Sequence, residues 1–287
     1  MSILESELVL NDDGSIYHLH LLPEDIADTI LLVGDQDRVP EVSKYFDSIE
    51  VKKHKREFYT HTGFIGKKRI SVISTGIGTD NIDIVINELD ALANIDLQKR
   101  EEKKEKKSLK FIRIGTSGSL QKSIEVDSIV ASSHGLGLDG TLNFYPMVFT
   151  NHELELQAKI ATQLDISFVN SYVTQSPGNI LSLFPELAKG ITATCCGFYA
   201  PQGRVLRAGV KVPNLIERLS KVDINGLCVT NFEMETAAIY GLAKLLGHEA
   251  VSVNAIVANR ITHQFSKQPH KTIDQTILRV LDAVQLS

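Results

Sequence analysis

The run Phe111-Ile112-Arg113-Ile114-Gly115-Thr116-Ser117-Gly118 carries one arginine inside an apolar segment that ends in glycines and hydroxyls. Such a segment can hold an oxyanion. Glycine removes the Cβ so that backbone N–H groups converge, threonine and serine add short donors, and the guanidinium supplies a forked positive charge. Alone, it reads better as a strand, a tight turn and an arginine at the edge of the core that pairs with a carboxylate. Two similar runs favour a site. Thr29-Ile30-Leu31-Leu32-Val33 ends at Gly34-Asp35 just before Arg38, and Ile70-Ser71-Val72-Ile73-Ser74 ends at Thr75-Gly76-Ile77-Gly78. Ligands of open α/β sheets sit outside the carboxyl ends of the strands, so three such turns are expected to share one crevice.

Two groups in the second half add different chemistry. Asn231-Phe232-Glu233-Met234-Glu235-Thr236 reads as the start of a helix, with Asn231 as its cap and both glutamates in the favourable first turn. The same carboxylates can instead accept hydrogen bonds from vicinal hydroxyls, with the methionine packed on a sugar ring. In Phe198-Tyr199-Ala200-Pro201-Gln202-Gly203-Arg204 the amide offers a donor and an acceptor, the guanidinium fixed donors, and the aromatic ring a stacking surface for a planar heterocycle. The bland alternative is a polar loop punctuated by proline and glycine. Together, anion donors, a diol acceptor and an amide edge describe a nucleoside and a phosphate.

These groups need a scaffold. Strand-like runs recur at 29–34, 69–75, 111–116, 127–133, 190–196, 227–232 and 249–258, with helical patterns between many of them, which predicts a mainly parallel central sheet covered by helices. Ile82, Val85, Ile86, Leu89 and Leu92 mark one helix after Gly78, and Ile273, Ile277, Val280, Leu281 and Val284 mark a closing one. The 287 residues show no repeat and no linker, so residues 1–287 read as a single domain. Residues 97–110 form a charged surface insertion, expected as a solvated helix extension or a loop. With 43% hydrophobic and 23% charged residues and a net charge of −5, the chain has no bulk affinity for nucleic acid or an anionic membrane. The N-terminus has no secretory pattern and no apolar run reaches about eighteen residues, so a cytoplasmic protein is expected. Cys195, Cys196 and Cys228 are expected as reduced, buried thiols with no metal site, since no Cys-x-x-Cys pair accompanies them.

Eight motifs between about His18 and Arg260 then fall in one order. They are Gly-Asp-x-Asp-Arg-Val at 34–39, His-x-Arg-Glu-Phe at 54–58, Ser-Thr-Gly-Ile-Gly at 74–78, Arg-Ile-Gly-Thr-x-Gly at 113–118, Leu-Asp-Gly at 138–140, Phe-Tyr-x-x-Gln-x-Arg at 198–204, Glu-Met-Glu at 233–235 and Asn-Arg at 259–260. In this order they resemble the nucleoside phosphorylase superfamily, most of all the uridine phosphorylases. The resemblance implies an α/β, single-domain, three-layer αβα fold with a central mixed, twisted sheet flanked by helices. It also implies reversible phosphorolysis of uridine, deoxyuridine or thymidine to uracil or thymine and (deoxy)ribose 1-phosphate, in pyrimidine salvage. Inorganic phosphate is then a co-substrate, with no cofactor or metal.

By the same resemblance, Gly34, Arg38, Arg113, Thr116 and, from a neighbouring subunit, Arg56 would hold phosphate. Glu235 would take the ribose 2′ and 3′ hydroxyls, Met234 would pack on the sugar, and His18 from the neighbour would reach the 5′ hydroxyl. Gln202, Arg204, Phe198 and Arg260 would surround the base, with Arg113, Arg204 and Glu235 as the catalytic set. The protein would therefore be a homo-oligomer, dimeric at least and hexameric in the bacterial relatives, with no nucleic-acid or membrane partner. A purine nucleoside phosphorylase, a nucleosidase and a silent nucleoside sensor are the alternatives. Purine-cleaving relatives carry Ser-Asp where this chain has Ala258-Asn259, which leaves no acid for a departing purine. The insertion, Gly203, His20 and Gln36 depart from the family pattern. Asn81 replaces a serine that lies, with a glutamate matched by Glu57, beside an interfacial monovalent cation, so that ion is not expected.

Overall fold

The computed structural model describes residues 2–166 and 168–286, arranged around a mixed sheet of twelve strands. Its long members are β1 (Thr29–Val33), β2 (Ser48–Lys55), β3 (Phe58–Ile65), β4 (Lys68–Ser74), β5 (Lys110–Ser119), β6 (Ile129–Leu138), β7 (Tyr172–Gln175), β8 (Ala188–Cys195), β9 (Leu227–Glu233) and β10 (Glu249–Asn259). Two-residue strands at Asp223–Ile224 and Gln264–Phe265 complete it. The main path runs β9-β8-β6-β10-β5-β1-β4-β3-β2. β9 also pairs antiparallel with β5 through Asn231↔Ser119 and Phe232↔Gly118, so the sheet curls back on itself at that end.

The order β5-β1-β4 explains why the three glycine runs meet. All three strands are parallel, and Val33 is in register with Ser74 on one side and Ile114 on the other. The next residues, Gly34, Thr75 and Gly115, therefore lie side by side; β1 and β4 end there, whereas β5 stays paired with β10 to Ser119, so Gly115–Gly118 is strand and not the turn the sequence suggests. β1 is an almost unbroken apolar run, as a strand covered on both faces tends to be, while β4 and β5 bury polar side chains such as Ser71, Ser74 and Arg113 among their apolar ones.

Six α-helices among the described residues provide that cover: α1 (Arg38–Ser43), α2 (Thr79–Asn94), α3 (Asn151–Leu164), α4 (Leu215–Ser220), α5 (Thr236–Leu246) and α6 (Pro269–Leu286). α2 and α5 lie on one face, where Ile82, Val85, Ile86, Leu89 and Leu92 are buried together with Ile239 and Leu242. Val39 and Val42 of α1 and Ile277, Val280, Leu281 and Val284 of α6 are buried on the other face, with Ile273 partly covered. Each such side chain contributes about 1.5–3 kcal/mol by leaving water. α3 and α4 close the β6-β8-β9 end. The three-layer αβα arrangement is thus present, and the sheet is mixed throughout: β10-β5-β1-β4 and β6-β8-β9 are parallel runs, joined by an antiparallel β6–β10 pair, and β4-β3-β2 is antiparallel. No helix among the described residues is long and apolar enough to cross a membrane.

Residues 97–110 are, as expected, mostly an exposed loop rather than a helix extension, with one addition: Ile95–Asp96 and Glu101–Glu102 pair as a short antiparallel ribbon at the end of α2. The last helical carbonyls need donors, and Lys103 Nζ gives one to Ala93 O at 2.8 Å while Asn94 exchanges two hydrogen bonds with the backbone of Lys107. Two further expectations are corrected. Asn231 is no helix cap: it lies in β9 and bonds Ser117, Thr192 and Thr230, and α5 begins only at Thr236. Of the thiols, Cys195 is buried, Cys228 half-buried and Cys196 exposed, and all three are free.

α5 lies so close to the sheet that a Cβ on Gly135 would sit 2.6 Å from Ala237 Cα. Gly135→Ala must push the start of α5 outward, and overpacking of this kind costs about 1–3 kcal/mol. A urea midpoint unchanged from wild type would show that this contact yields freely.

Candidate active site

One cleft of about 1330 Å³ opens at the carboxyl ends of β5, β1 and β4. Gly34, Arg38, Gly76, Arg113, Thr116, Phe198, Gln202, Arg204, Phe232, Glu233, Met234, Glu235 and Arg260 all line it; by their contacts, Arg38 adjoins β5 at Ile114, Arg113 joins Glu233 and Glu235, and Arg204 and Arg260 gather about Gln202 and Phe232 beyond them. The segments separated in the sequence are thus assembled in one place, as expected from the strand ends.

Arg113 is the hub of this cleft. Its side chain leaves β5 at the level of Leu32 on β1 and Ser252 on β10. Nη1 donates to Asn254 Oδ1 at 2.7 Å, and Nη2 lies 2.6 Å from Glu235 Oε2 and 3.2 Å from Glu233 Oε2. All three charged side chains are buried. The guanidinium occupies space that only a glycine leaves free, since a Cβ on Gly115 would lie 1.7 Å from Nη1.

Glu233 ends β9 and turns back over the start of α5. Its carboxylate accepts the Thr194 hydroxyl at 2.8 Å and the backbone N–H groups of Glu235, at 2.9 Å, and Thr236, at 3.0 Å. These bonds satisfy the orphan donors at the helix N-terminus and fix the backbone on either side of Met234 and Glu235. Glu235 Oε1 in turn accepts the Gly78 N–H at 2.8 Å, where Gly78 adopts a left-handed φ of 99°. Burial pushes the Glu233 carboxyl up to about 7; Arg113 pulls it down and the neighbouring Glu235 pushes it further up.

Arg38 enters at the first turn of α1 with Nη1 3.4 Å from Ile114 O. Burial, and then the like charge of Arg113, hold its guanidinium below the ordinary arginine value. Two arginines that oppose each other beside a glycine loop favour an anion between them.

At the far end, Arg204 lies 3.6 Å over the Phe198 ring and donates to Gln202 Oε1 at 2.5 Å and to Phe198 O at 2.7 Å. The guanidinium takes the amide oxygen, so Gln202 keeps its N–H groups for another partner. Burial, and then Arg260, bring Arg204 down to about 10, which leaves it charged at neutral pH. Arg260 reaches Gln202 O at 3.2 Å and lies 5.5 Å from the Phe232 ring centre.

His18 and Arg56 do not line the cleft of their own chain. His18 Nδ1 is 2.6 Å from Glu88 Oε1, and Arg56 sits in the β2–β3 turn with φ 57° and its guanidinium 5.8 Å from the Tyr17 ring centre. Asn254, Ser252 and Phe232 are site residues that the sequence does not single out, and Glu233, which it offers to vicinal hydroxyls, instead holds Arg113, Thr194 and the start of α5. A polar asparagine inside the apolar run Val253-Asn254-Ala255 was the available signal, since buried polar groups need partners.

Residues 28–284 match the model of the phosphorylase superfamily. The chain belongs to that superfamily. A Thermococcus kodakarensis protein named uridine phosphorylase is 32% identical over 93% of this chain and 86% of its own length. An Escherichia coli protein of the same name is 26% identical over 92% of each chain. Among solved structures, a Trypanosoma brucei nucleoside phosphorylase, described as showing uridine phosphorylase activity, superposes with a TM-score of 0.89 at 28% identity, over 98% of this chain and all 100% of that one. As a phosphorylase of this superfamily, the protein is an enzyme of the pentosyltransferase class.

Its hub changes what Arg113 variants can report. This arginine has two buried carboxylates to neutralise. Arg113→Ala should cost about 3–5 kcal/mol of stability as well as activity, because it strands buried charge. Unchanged guanidinium-chloride unfolding would refute that. A second consequence concerns pH. Between the ordinary carboxyl value of 4.5 and about 7, Glu233 keeps its proton in the folded chain and loses it in the unfolded one. Stability from this group is full below that window and declines as pH rises through it. The melting temperature of wild type relative to Glu233→Gln should therefore fall from about pH 5 to about pH 7.5, and a difference that stays flat would exclude this titration.

Proposed function

We propose that the enzyme catalyses phosphorolysis of uridine and related pyrimidine nucleosides. The observation that carries this reading is the order of groups along one cleft: an arginine-rich glycine loop, a buried carboxylate beside a methionine, and a glutamine–arginine pair at the opposite end.

On this reading, phosphate lies among Gly34, Arg38, Arg113 and Thr116. Hydrogen bonds to charged groups contribute about 1.5–3 kcal/mol each. A millimolar dissociation constant needs only about 4 kcal/mol, so this set suffices even after ordering and desolvation. Glu235 accepts the 2′ and 3′ hydroxyls, with its backbone fixed by Glu233 and Gly78, and Met234 packs against the ribose. The Gln202 N–H groups and the Arg204 and Arg260 guanidiniums face the carbonyl edge of uracil, and Phe198 flanks the ring. Phosphate attacks C1′, the glycosidic bond breaks, and the electron pair leaves with the base. Negative charge then grows on the pyrimidine in the transition state, where fixed guanidiniums stabilise it most.

The base end supports a pyrimidine over a purine. Around Gln202, the described lining residues Phe198, Arg204, Phe232, Ala258, Asn259 and Arg260 include no carboxylic acid to protonate a departing purine. Relatives named uridine phosphorylase support the same preference.

His18 and Arg56 complete the site on this reading from a second copy of the chain, which calls for a homodimer or a larger assembly. Light scattering at micromolar concentration should give at least twice the monomer mass; a monomer that is fully active would exclude a shared site.

The deciding assay follows uracil release from uridine with and without inorganic phosphate, alongside thymidine, inosine and methylthioadenosine. Phosphate-dependent uracil release with ribose 1-phosphate as co-product is expected. Preferential cleavage of inosine, or hydrolysis without phosphate, would sink the assignment. Gln202→Ala should raise KM for uridine by at least about tenfold, the loss of one or two good hydrogen bonds, and leave KM for phosphate nearly unchanged. Parallel increases in both constants would remove Gln202 from the base.

A further inference from the structure

We propose that Asn259 is the positioning residue that fixes Arg260 at the base end of the cleft, and so sets base recognition without touching the base. The inference rests on the proposed role of Arg260. Asn259 is the last residue of β10 and is 1% exposed. Its side chain uses every donor and acceptor it has. Nδ2 donates to Gln121 O and Ile124 O, each at 2.9 Å, and Oδ1 accepts the N–H groups of Ile261 and Thr262, each at 2.9 Å. The amide therefore ties the turn that follows Arg260 to the loop that follows β5.

The main chain of Arg260 is held between these anchors. Its N–H donates to Ser119 O at 2.9 Å, and the chain then returns as Gln264–Phe265 against β10. From this fixed point the side chain passes Gly118, where a Cβ would lie 3.5 Å from Arg260 Cγ, and crosses the Phe232 ring to Gln202 O. The loop gripped by Asn259 is itself secured, since Gln121 Nε2 donates to Val229 O at 2.8 Å and Ser220 O at 3.1 Å. β9, which carries Phe232, and the turn that carries Arg260 are thus referred to one asparagine. Only an amide fits the two carbonyls and two N–H groups at once. A carboxylate would keep the accepted bonds and set an oxygen against two carbonyl oxygens.

The test is a double-mutant cycle of Asn259→Asp, Arg260→Ala and the pair, with uridine and phosphate each varied in steady-state kinetics. Asn259→Asp should lower kcat/KM for uridine about tenfold or more, leave KM for phosphate within about twofold, and cost nothing further once Arg260 is already alanine. Equal losses from Asn259→Asp in both backgrounds, a matching rise in KM for phosphate, or no effect at all would overturn the proposal. If Asn259→Asp does not fold, the same cycle with Asn259→Ser decides by the same criteria. A wild-type enzyme that releases no uracil from uridine would overturn the proposed function, and this inference with it; a wild type active on uridine with an additive cycle would overturn this inference alone.

Discussion

One buried cation balances two buried carboxylates, and the site is organised around that imbalance. Arg113 lies within 3.2 Å of Glu233 and 2.6 Å of Glu235. Burying these charges costs several kcal/mol per ion unless each is paired and hydrogen-bonded. The pairing is completed by neutral donors: Thr194, Gly78 and the first N–H groups of α5 on the carboxylates. Asn254 Oδ1 accepts from the other side of the guanidinium. With three charges for which neutrality would need only two, burial favours keeping a proton, and the raised Glu233 value follows.

This arrangement demands much from the backbone. The guanidinium fits because position 115 has no side chain, and Glu235 is oriented because Gly78 adopts a φ that disfavours other residues. Parallel pairing of β5, β1 and β4 in common register brings these positions together. The glycines are therefore part of the electrostatics. They let a charged group and a backbone donor approach where a side chain would keep them apart.

How much of this was legible in the sequence depended on the range of the interaction. Apolar runs of strand length and 3.6-residue periodicity are local, so the seven strand runs and the faces of α2 and α6 were readable to within a few residues. The turns that line the cleft were readable because glycine after an apolar strand has a specific steric meaning. Pairings across the chain were not. Nothing near Arg113 announces that Glu235, 122 positions away, accepts from its guanidinium. The carboxylates of 233–235 fitted a helix start equally well, and only the curled sheet keeps Asn231 to Glu233 extended. The β2–β3 hairpin was missed because the lysine-rich edge strand alternates only weakly. Within the exposed 97–110 segment, the Glu101–Glu102 ribbon strand was not legible because charged residues usually face water, whereas Lys103 turns back to the carbonyls of α2.

The charge sequence along the cleft bears on the proposed chemistry. Arg38 adjoins the Arg113 strand, Arg113 pairs with Glu233 and Glu235, and Arg204 and Arg260 gather about Phe232, the residue before Glu233. In phosphorolysis the transition state carries a dianion, a developing oxocarbenium ion and a departing pyrimidine anion, in the same order. The ground-state nucleoside is neutral, so carboxylates near the sugar and guanidiniums near the base gain most as charge separates, which is the condition for accelerating the chemical step rather than tightening binding alone. The two cation pairs also repel within themselves: Arg38 is lowered partly by Arg113, and Arg204 partly by Arg260. Each pair is held in place by carbonyls, aromatic rings and carboxylates before any ligand arrives. That advance fixing removes much of the reorganisation that water would have to undergo around the same charges.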